Sequence, residues 1–330
     1  YPHYSQKIHM TGSPRADLWQ PYFASYWKNN NKEFNKPFLL VSSNMGVLNM
    51  KPFHETYKFL KERGTFERDP KFLKNSFAKM GEEYQMVYYF FKAIKYLANN
   101  NNRYNIILRP HPTENIEIWK SFLEDVQNVK VIREDSISSW LNNAFAIMHN
   151  SCTTALEATL SRKPVITYIP FQGNYARELA NDLGHRVETL EELSDTIKHI
   201  LDKINSQNQK NTHEPLPKVI VKKIYIDENE HAANKMIKVW ESLNSEKLSI
   251  TNNWIKFKFK LKIMKFNGMI GRIYRSVFKK KFKEKENYKF PPLNEEKIIE
   301  KVNRLQKILG IEEKIDCKLL SDRTILIKLR

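Results

Sequence analysis

Five short apolar runs alternate with stretches of helical periodicity between residues 36 and 204. The runs contain little polar alternation, which is typical of strands that are buried on both faces of a parallel sheet. This pattern predicts an α/β fold with a doubly wound, Rossmann-like parallel sheet. The predicted strands are 37–43, 104–108, 129–133, 145–149 and 164–169. The predicted helices are 51–63, 81–99, 116–126, 136–143, 152–161 and 190–204.

Changes in composition set the boundaries of this domain and of two later segments. The α/β domain is predicted to cover residues 36–243, a basic and aromatic segment residues 244–290, and a small C-terminal extension residues 291–330. Two later helices and a last strand are predicted at 230–243, 294–309 and 324–329.

The positive charge of the chain is concentrated in the basic segment. The chain carries 55 basic and 37 acidic residues, a formal net charge of +18. Thirteen basic and two acidic residues lie between Lys256 and Lys289, a balance of +11, which leaves +7 for the rest. Lys258, Lys260 and Lys262 alternate with apolar residues, so one edge of this stretch is apolar and the other cationic.

Three interpretations of the basic segment remain open: contact with an anionic membrane surface, packing against the rest of the protein, and binding of nucleic acid. We favour the membrane surface, because aromatic groups enter the lipid interface while lysines meet lipid phosphates. No nucleic-acid-binding signature is present, so we expect no nucleic-acid partner. No apolar run approaches the ~20 residues of a membrane-spanning helix. With only two cysteines, the chain is expected in the cytoplasm, peripheral on the inner face of the membrane.

Polar residues follow three of the predicted strands directly. In an open parallel sheet, ligands bind beside the carboxyl ends of the strands. The first strand ends at Ser43 and Asn44, the second runs into Arg109 and His111, and the fourth is followed by Asn150. We therefore expect these groups to converge on one rim.

The connection after the fourth strand opens a predicted helix with small hydroxyl residues. Ser151, Thr153 and Thr154 are placed to cap this helix, and its free N–H groups form an anion site. Glu157 lies one turn further on, where it could accept hydrogen bonds from the ribose of a bound nucleotide. The alternative interpretation is an ordinary helix cap with a surface glutamate.

Arg109 and His111 alternate with Pro110 and Pro112. Because proline fixes the backbone, the guanidinium and the imidazole are expected to be held rigidly. Such a pair is suited to binding phosphate, with His111 as the candidate catalytic donor to a leaving group. The alternative interpretation is a structural turn with a satisfied histidine.

The chain lacks the glycine-rich phosphate loops and the cluster patterns of metal sites. It has no Walker A loop, no Gly-x-Gly-x-x-Gly, no Asp-x-Asp and no clustered His or Cys ligands. We therefore expect a site that uses no metal ion and no cofactor.

The order of four motifs resembles the C-terminal half of GT-B-fold enzymes. It is most similar to bacterial surface carbohydrate biosynthesis proteins, and in outline to capsule Kdo transferases, CDP-glycerol glycerophosphotransferases and UDP-N-acetylglucosamine 2-epimerase. The resemblance covers roughly residues 8–243. The motifs are Thr11–Asp17, Phe38–Asn44, Arg109–Pro112 and His149–Ala158 with Lys163–Ile166.

The resemblance implies a glycosyltransferase that binds a nucleotide-sugar donor, a CMP-sugar of the Kdo kind in particular. It implies phosphate binding by Arg109, His111, Ser151, Thr153 and Thr154, and ribose binding by Glu157. Residues 1–35 become the hinge to an absent N-terminal domain, with hinge residues Gly12, Pro14, Arg15 and Asp17.

Further functions remain open beside the transferase. They are a CDP-alditol phosphotransferase, a sugar-nucleotide epimerase, and a nucleotide-binding module without activity. For the transferase, the expected acceptor is lipid-linked or a polysaccharide.

Overall fold

The computed structural model describes residues 8–27, 35–49, 53–174, 178–206, 216–227, 229–242, 292–321 and 323–329. One compact unit comprises Gly12–Glu228, and the chain before and after it forms the other. The basic segment that we expected at a membrane surface lies outside the described residues.

The first unit is built on a six-stranded parallel sheet with the order β3-β2-β1-β4-β5-β6. This confirms the predicted doubly wound α/β fold, and the strand order is the one found in dinucleotide-binding sheets. The strand order reverses between β1 and β4, so the connections that leave these two strands diverge. The strands are β1 Phe38–Ser42, β2 Asn105–Arg109, β3 Val129–Val131, β4 Ala146–His149, β5 Val165–Tyr168 and β6 His185–Val187.

Helices cover both faces of this sheet. Alternate residues of the central strands belong to two separate apolar cores, since successive side chains of a strand point to opposite faces. One core includes α4 and α9, and the other includes α6, α7 and α10. The helices are α1 Pro14–Asp17, α2 Phe53–Glu62, α3 Thr65–Arg68, α4 Phe72–Asn99, α5 Ile116–Phe122, α6 Ile137–Asn143, α7 Thr154–Leu160, α8 Glu178–Asn181, α9 Leu190–Ser206 and α10 Lys218–Lys223.

The register of the central strands brings their carboxyl ends level. Ser42 of β1 lies beside Arg109 of β2 on one side and beside His149 of β4 on the other. The connections that follow these three strands therefore start at the same height, and residues in them share one edge of the sheet.

The described residues of the second unit form two helices and an antiparallel hairpin. They are α11 Ala232–Ser242, α12 Glu295–Leu309, and the antiparallel strands β7 Ile315–Ser321 and β8 Thr324–Leu329. Strand β7 was not predicted from the sequence. None of the helices in the described part of the chain is both long and apolar enough to cross a membrane.

Candidate functional site

A cleft of about 400 Å³ lies at the carboxyl end of the sheet, where the connections that leave β1 and β4 diverge. It is lined by residues from the connections that follow β1, β2, β4 and β5, together with one face of α4. Four of the predicted site residues line it: Asn44, His111, Asn150 and Ser151. The cleft occupies the position at which doubly wound sheets bind their ligands.

Ser151 adopts a left-handed backbone conformation at the mouth of the β4–α7 connection, with φ of 50°. Its N–H donates to Asn181 Oδ1 at 2.7 Å, and its Oγ accepts from Asn181 Nδ2 at 3.1 Å. Its carbonyl accepts from Asn44 Nδ2 at 3.0 Å. A residue other than glycine is strained in this region, and such strain persists where the surroundings fix the conformation.

Asn150 links the ends of two neighbouring strands. Its Nδ2 donates to the carbonyl of Tyr168 at 2.8 Å. Because Tyr168 is the last residue of β5, this bond fixes the start of the β4–α7 connection against the next strand.

Glu114 organises the same edge of the sheet, and the sequence analysis did not identify it. Its carboxylate is 2% exposed and accepts four hydrogen bonds. The donors are Ser43 Oγ at 2.8 Å, the Met45 N–H at 2.8 Å, the His111 N–H at 3.2 Å and Trp119 Nε1 at 2.7 Å. Burial raises the pKa of Glu114, and the hydrogen bonds act in the opposite direction.

His111 has a defined tautomer in its neutral form. The backbone N–H of Thr113 donates to its Nδ1 at 3.2 Å, and the Thr113 hydroxyl lies 2.7 Å from the same nitrogen. Because a backbone N–H only donates, Nδ1 is the acceptor and the proton of the neutral ring sits on Nε2. The His111 side chain is thus arranged as a donor through Nε2 within the cleft lining.

Arg109 is held by the loop between β3 and α6. Its guanidinium donates to the carbonyl of Glu134 at 2.6 Å and to the carbonyl of Asp135. Asp135 has φ of 57°, so this loop also contains a left-handed residue. Arg109 is not among the described residues that line the cleft.

The hydroxyl residues beside the cleft differ from the predicted arrangement. Thr153 is the N-cap of α7 but makes no capping bond through its side chain. Its backbone is helical, with φ of −63° and ψ of −13°, whereas a capping side chain requires an extended residue. The prediction of a hydroxyl cap by Thr153 is therefore wrong.

Two other predicted hydroxyl residues are buried. The Thr154 hydroxyl contacts Ser42 Oγ at 3.3 Å and Cys152 Sγ at 3.2 Å. Ser43 is fully buried and donates to Glu114. Thr154 therefore joins the start of α7 to the end of β1, and Ser43 joins the end of β1 to Glu114; neither residue lines the cleft.

Glu157 lies in a second cluster, on the side of the sheet covered by α6 and α7. It is 5% exposed, accepts from Ser138 Oγ at 2.7 Å, and pairs with Arg15 at 3.4 Å. Trp19 donates to Ser138 at 3.2 Å and lies under the Arg15 guanidinium. Burial raises the pKa of Glu157, against the opposing effect of Ser138, Arg15 and Arg109.

This cluster joins two motifs that are far apart in the sequence. Arg15 belongs to α1, whose residues Pro14 to Asp17 were predicted as a hinge, and Gly12 before it has φ of 81°. The structure thus places the Arg15 motif against the helix that carries Glu157. Glu157 is a buried residue with two partners, and not the surface glutamate of the alternative interpretation.

Two adjacent carboxylates of α4 hold the loops on either side of the cleft. Glu83 Oε2 accepts from the Val47 N–H at 2.8 Å, in the connection after β1. Glu82 accepts from the Asn174 N–H at 2.9 Å, in the connection after β5. Phe171 in that second loop packs on Tyr89 of α4 with ring centroids 5.6 Å apart. The two loops could be located from the sequence, because glycine or polar residues follow an apolar run there. Nothing in the sequence identifies Glu82 and Glu83 as the residues that bind these loops.

The cleft contains both charged and polar groups. Its lining includes the cations Lys79 and Arg186 together with the acids Glu82, Glu83 and Asp182. Among the described residues, no three His, Cys, Asp or Glu side chains are grouped so that they could hold a metal ion. The arrangement offers hydrogen-bond donors and acceptors to a polar ligand.

The fold is a doubly wound α/β fold with a cleft at the point where the strand order reverses. No protein-family model and no curated protein matches this chain.

Several solved structures are similar at low identity. They include a glycotransferase of kitacinnamycin, with 13% identity and a TM-score of 0.32 over 54% of this chain and 38% of that chain. The UDP-GlcNAc 2-epimerase of Methanocaldococcus jannaschii, in complex with UDP-GlcNAc and UDP, has 17% identity and a TM-score of 0.35 over 72% and 55%. S. aureus MnaA with UDP has 15% identity and a TM-score of 0.36 over 74% and 57%. The chain thus spans between 38% and 57% of the length of these structures.

Proposed function

We propose that the cleft binds the nucleotide part of a nucleotide sugar, and that the protein is a glycosyltransferase of cell-surface polysaccharide biosynthesis. The observation that carries this proposal is the convergence of Asn44, His111, Asn150 and Ser151 on one cleft at the reversal of strand order. Doubly wound sheets bind nucleotides at this position. Amide, hydroxyl and imidazole groups are suited to phosphate and sugar oxygens.

The proposed reaction transfers the sugar to a hydroxyl group of a lipid-linked or polysaccharide acceptor. The acceptor oxygen bonds to the anomeric carbon and its hydroxyl proton is released to solvent, while the bond from this carbon to the phosphate oxygen breaks and its electron pair stays on the phosphate. His111 is the proposed catalytic residue, since it lines the cleft and its neutral ring carries a proton on Nε2 that can stabilise the departing phosphate. With a CMP-sugar of the Kdo kind, the leaving group is CMP.

The roles proposed for the other predicted residues depend on where they lie. Ser151 and the backbone after it are proposed to bind phosphate, with Asn44 and Asn150 beside them. For Glu157 to accept ribose hydroxyls, Arg15 has to move away from it, because Glu157 is only 5% exposed and Arg15 lies against its carboxylate. The side chain of Arg15 is 71% exposed, so this movement breaks few contacts.

Thermal shift measurements with CMP, CDP and UDP test the proposal on the full chain. We expect stabilisation by at least one of the three, because a ligand that binds only the folded state raises the melting temperature. CMP as the strongest ligand supports a CMP-sugar, CDP supports an alditol phosphotransferase, and UDP supports an epimerase-like enzyme.

The variants His111→Ala and Asn143→Ala sharpen this test. His111 lines the cleft, whereas Asn143 lies exposed on α6, where its amide donates to the Ser139 carbonyl. We expect the nucleotide shift to be lost in the first variant and kept in the second. A response to none of the three nucleotides contradicts the proposed function.

We also propose that residues 244–290 bind an anionic membrane surface, which brings the enzyme to lipid-linked acceptors. Support comes from the sequence, where lysines alternate with aromatic and aliphatic residues. Co-sedimentation with phosphatidylserine vesicles tests this, comparing the full chain with a variant in which Lys256, Lys258, Lys260 and Lys262 are glutamate. Undiminished binding of the variant contradicts the proposal.

A further inference from the structure

The strained residue of the cleft is held by two asparagines from different parts of the fold. Asn181 engages both the backbone N–H and the hydroxyl of Ser151, while Asn44 engages the Ser151 carbonyl. All three of these bonds act on Ser151, whose left-handed backbone is unfavourable for a side chain with a Cβ. The side-chain amide of Asn181 thus stabilises a backbone conformation that is unfavourable for serine itself.

The same amide determines the direction of the Ser151 hydroxyl proton. Asn181 Oδ1 accepts from the Ser151 N–H, so its Nδ2 is the group that faces the hydroxyl and donates to it. Since the hydroxyl oxygen accepts this bond, its own proton is directed away from Asn181. Both residues line the cleft.

We propose that Asn181 is a positioning residue that holds Ser151 in its left-handed conformation and orients the Ser151 hydroxyl as a donor to the phosphate of the bound nucleotide. This inference rests on the proposed nucleotide-binding function of the cleft. Asn181 acts through Ser151, because it contacts both the backbone and the side chain of that residue.

A double-mutant cycle with Ser151→Gly separates positioning from a general structural role. Glycine adopts positive φ without strain, so a chain with Gly at 151 needs no asparagine to hold this conformation. In the wild-type background, we expect Asn181→Ala to weaken binding of the preferred nucleotide among CMP, CDP and UDP about tenfold. In the Ser151→Gly background, the same change is expected to weaken binding less than about twofold. Asn143→Ala is the matched control and leaves affinity unchanged.

Asn181→Asp adds a second test of the hydroxyl. An aspartate still accepts from the Ser151 N–H but cannot donate to the hydroxyl, so the serine proton turns toward the carboxylate. Binding therefore weakens in Asn181→Asp as well, although the backbone conformation is retained. An equal loss of affinity for Asn181→Ala in both backgrounds, or no loss in either, overturns the inference.

Melting temperatures of the four proteins of the cycle test the inference even if the wild type binds none of the nucleotides. These proteins are the wild type, Asn181→Ala, Ser151→Gly and the double variant. In that case the proposed function fails, but Ser151→Gly must still stabilise the Asn181→Ala chain about 2 °C more than it stabilises the wild type. The reason is that glycine relieves strain in both chains and loses the bond to Asn181 only in the wild type. Equal shifts in the two backgrounds overturn the positioning role.

Discussion

Glu114 shows how much of the site depends on a single side chain. It collects donors from the ends of β1 and β2 and from α5, so one carboxylate sets the relative positions of three elements. The sequence places it three residues after His111, where it is one of several polar residues in a turn. Its burial results from the packing of α5 against the sheet. This tertiary contact cannot be read from the local sequence pattern.

Ser151 could not be predicted for a different reason. A positive φ is expected at glycine, and nothing in the sequence around Ser151 identifies it as an exception. Its conformation depends on Asn44 and Asn181, which are 107 and 30 residues away. By contrast, the residues that directly follow apolar runs could be assigned to the edge of the sheet, because that placement needs only the strand boundaries.

His149 gives a pH dependence to the stability of the fold. Its ring is fully buried, with Nε2 2.9 Å from the Thr167 hydroxyl, which in turn donates to the Leu183 carbonyl at 2.5 Å. The hydroxyl therefore accepts from Nε2, while Nδ1 is buried and has no hydrogen-bond partner among the described residues, which disfavours a charged ring. Burial lowers the pKa of His149 to about 3.

Because the folded pKa lies below the unfolded value, the stabilisation by neutral His149 is complete above about pH 6.5 and is lost as the pH falls toward 3. The expected slope is about 1.4 kcal/mol per pH unit below pH 6. Buried Glu114 and Glu157 have raised pKa values and act in the opposite direction. Urea unfolding of the wild type and of His149→Gln at several pH values gives the free energy of unfolding of each protein. The difference between their pH dependences is the contribution of the histidine. Identical slopes for the two proteins refute this account.

At the scale of elements, α4 connects the cleft to the core. Its inner face packs against the sheet, while Glu82 and Glu83 hold the two loops beside the cleft. The helix predicted from the sequence begins at Gly81, whereas α4 begins at Phe72. Glycine lowers helix propensity by only about 1 kcal/mol, which tertiary contacts of a long helix outweigh.

Two glycines are expected to respond in opposite directions to alanine. At Gly81 a Cβ meets nothing within 4 Å, so Gly81→Ala should stabilise the fold by about 0.5 to 1 kcal/mol. At Gly184, φ is 78° and a Cβ would lie 2.2 Å from the Val165 carbonyl oxygen. Gly184→Ala should therefore destabilise by about 2 to 4 kcal/mol. Chemical denaturation measures both, and a neutral Gly184→Ala contradicts the described turn before β6.

Strand β6 was not predicted, because it lacks an apolar run. Strand β6 has only Val187 buried, because it lies at the edge of the sheet. The other five strands of this sheet were predicted to within two residues at each end, since buried parallel strands carry continuous apolar sequence. The apolar sequence is interrupted by polar residues at the carboxyl ends of the central strands, such as Ser42, Arg109 and His149. The register places these ends at the edge of the sheet that carries the cleft.

At the scale of the whole molecule, the sequence predicts the fold class but leaves the strand order undetermined. Alternating strands and helices indicate a parallel sheet, yet the position of each strand is fixed only by contacts between distant segments. Because the strand order reverses between β1 and β4, the separate polar loops after the strands come together in one cleft. The +11 segment lies outside the described residues, so its contribution rests on the sequence alone.

Hydrogen–deuterium exchange of the full chain, with and without saturating CMP, CDP or UDP, tests the central claim most directly. We predict that at least one nucleotide slows exchange roughly threefold or more in peptides from the cleft, which include residues 43–47, 111–114 and 150–154. A second groove of about 440 Å³ at the amino end of β2, lined by residues 99–104, serves as the internal control and should be unaffected. Protection at that groove alone, or no protection by any of the three nucleotides, would contradict a nucleotide site at the carboxyl end of the sheet.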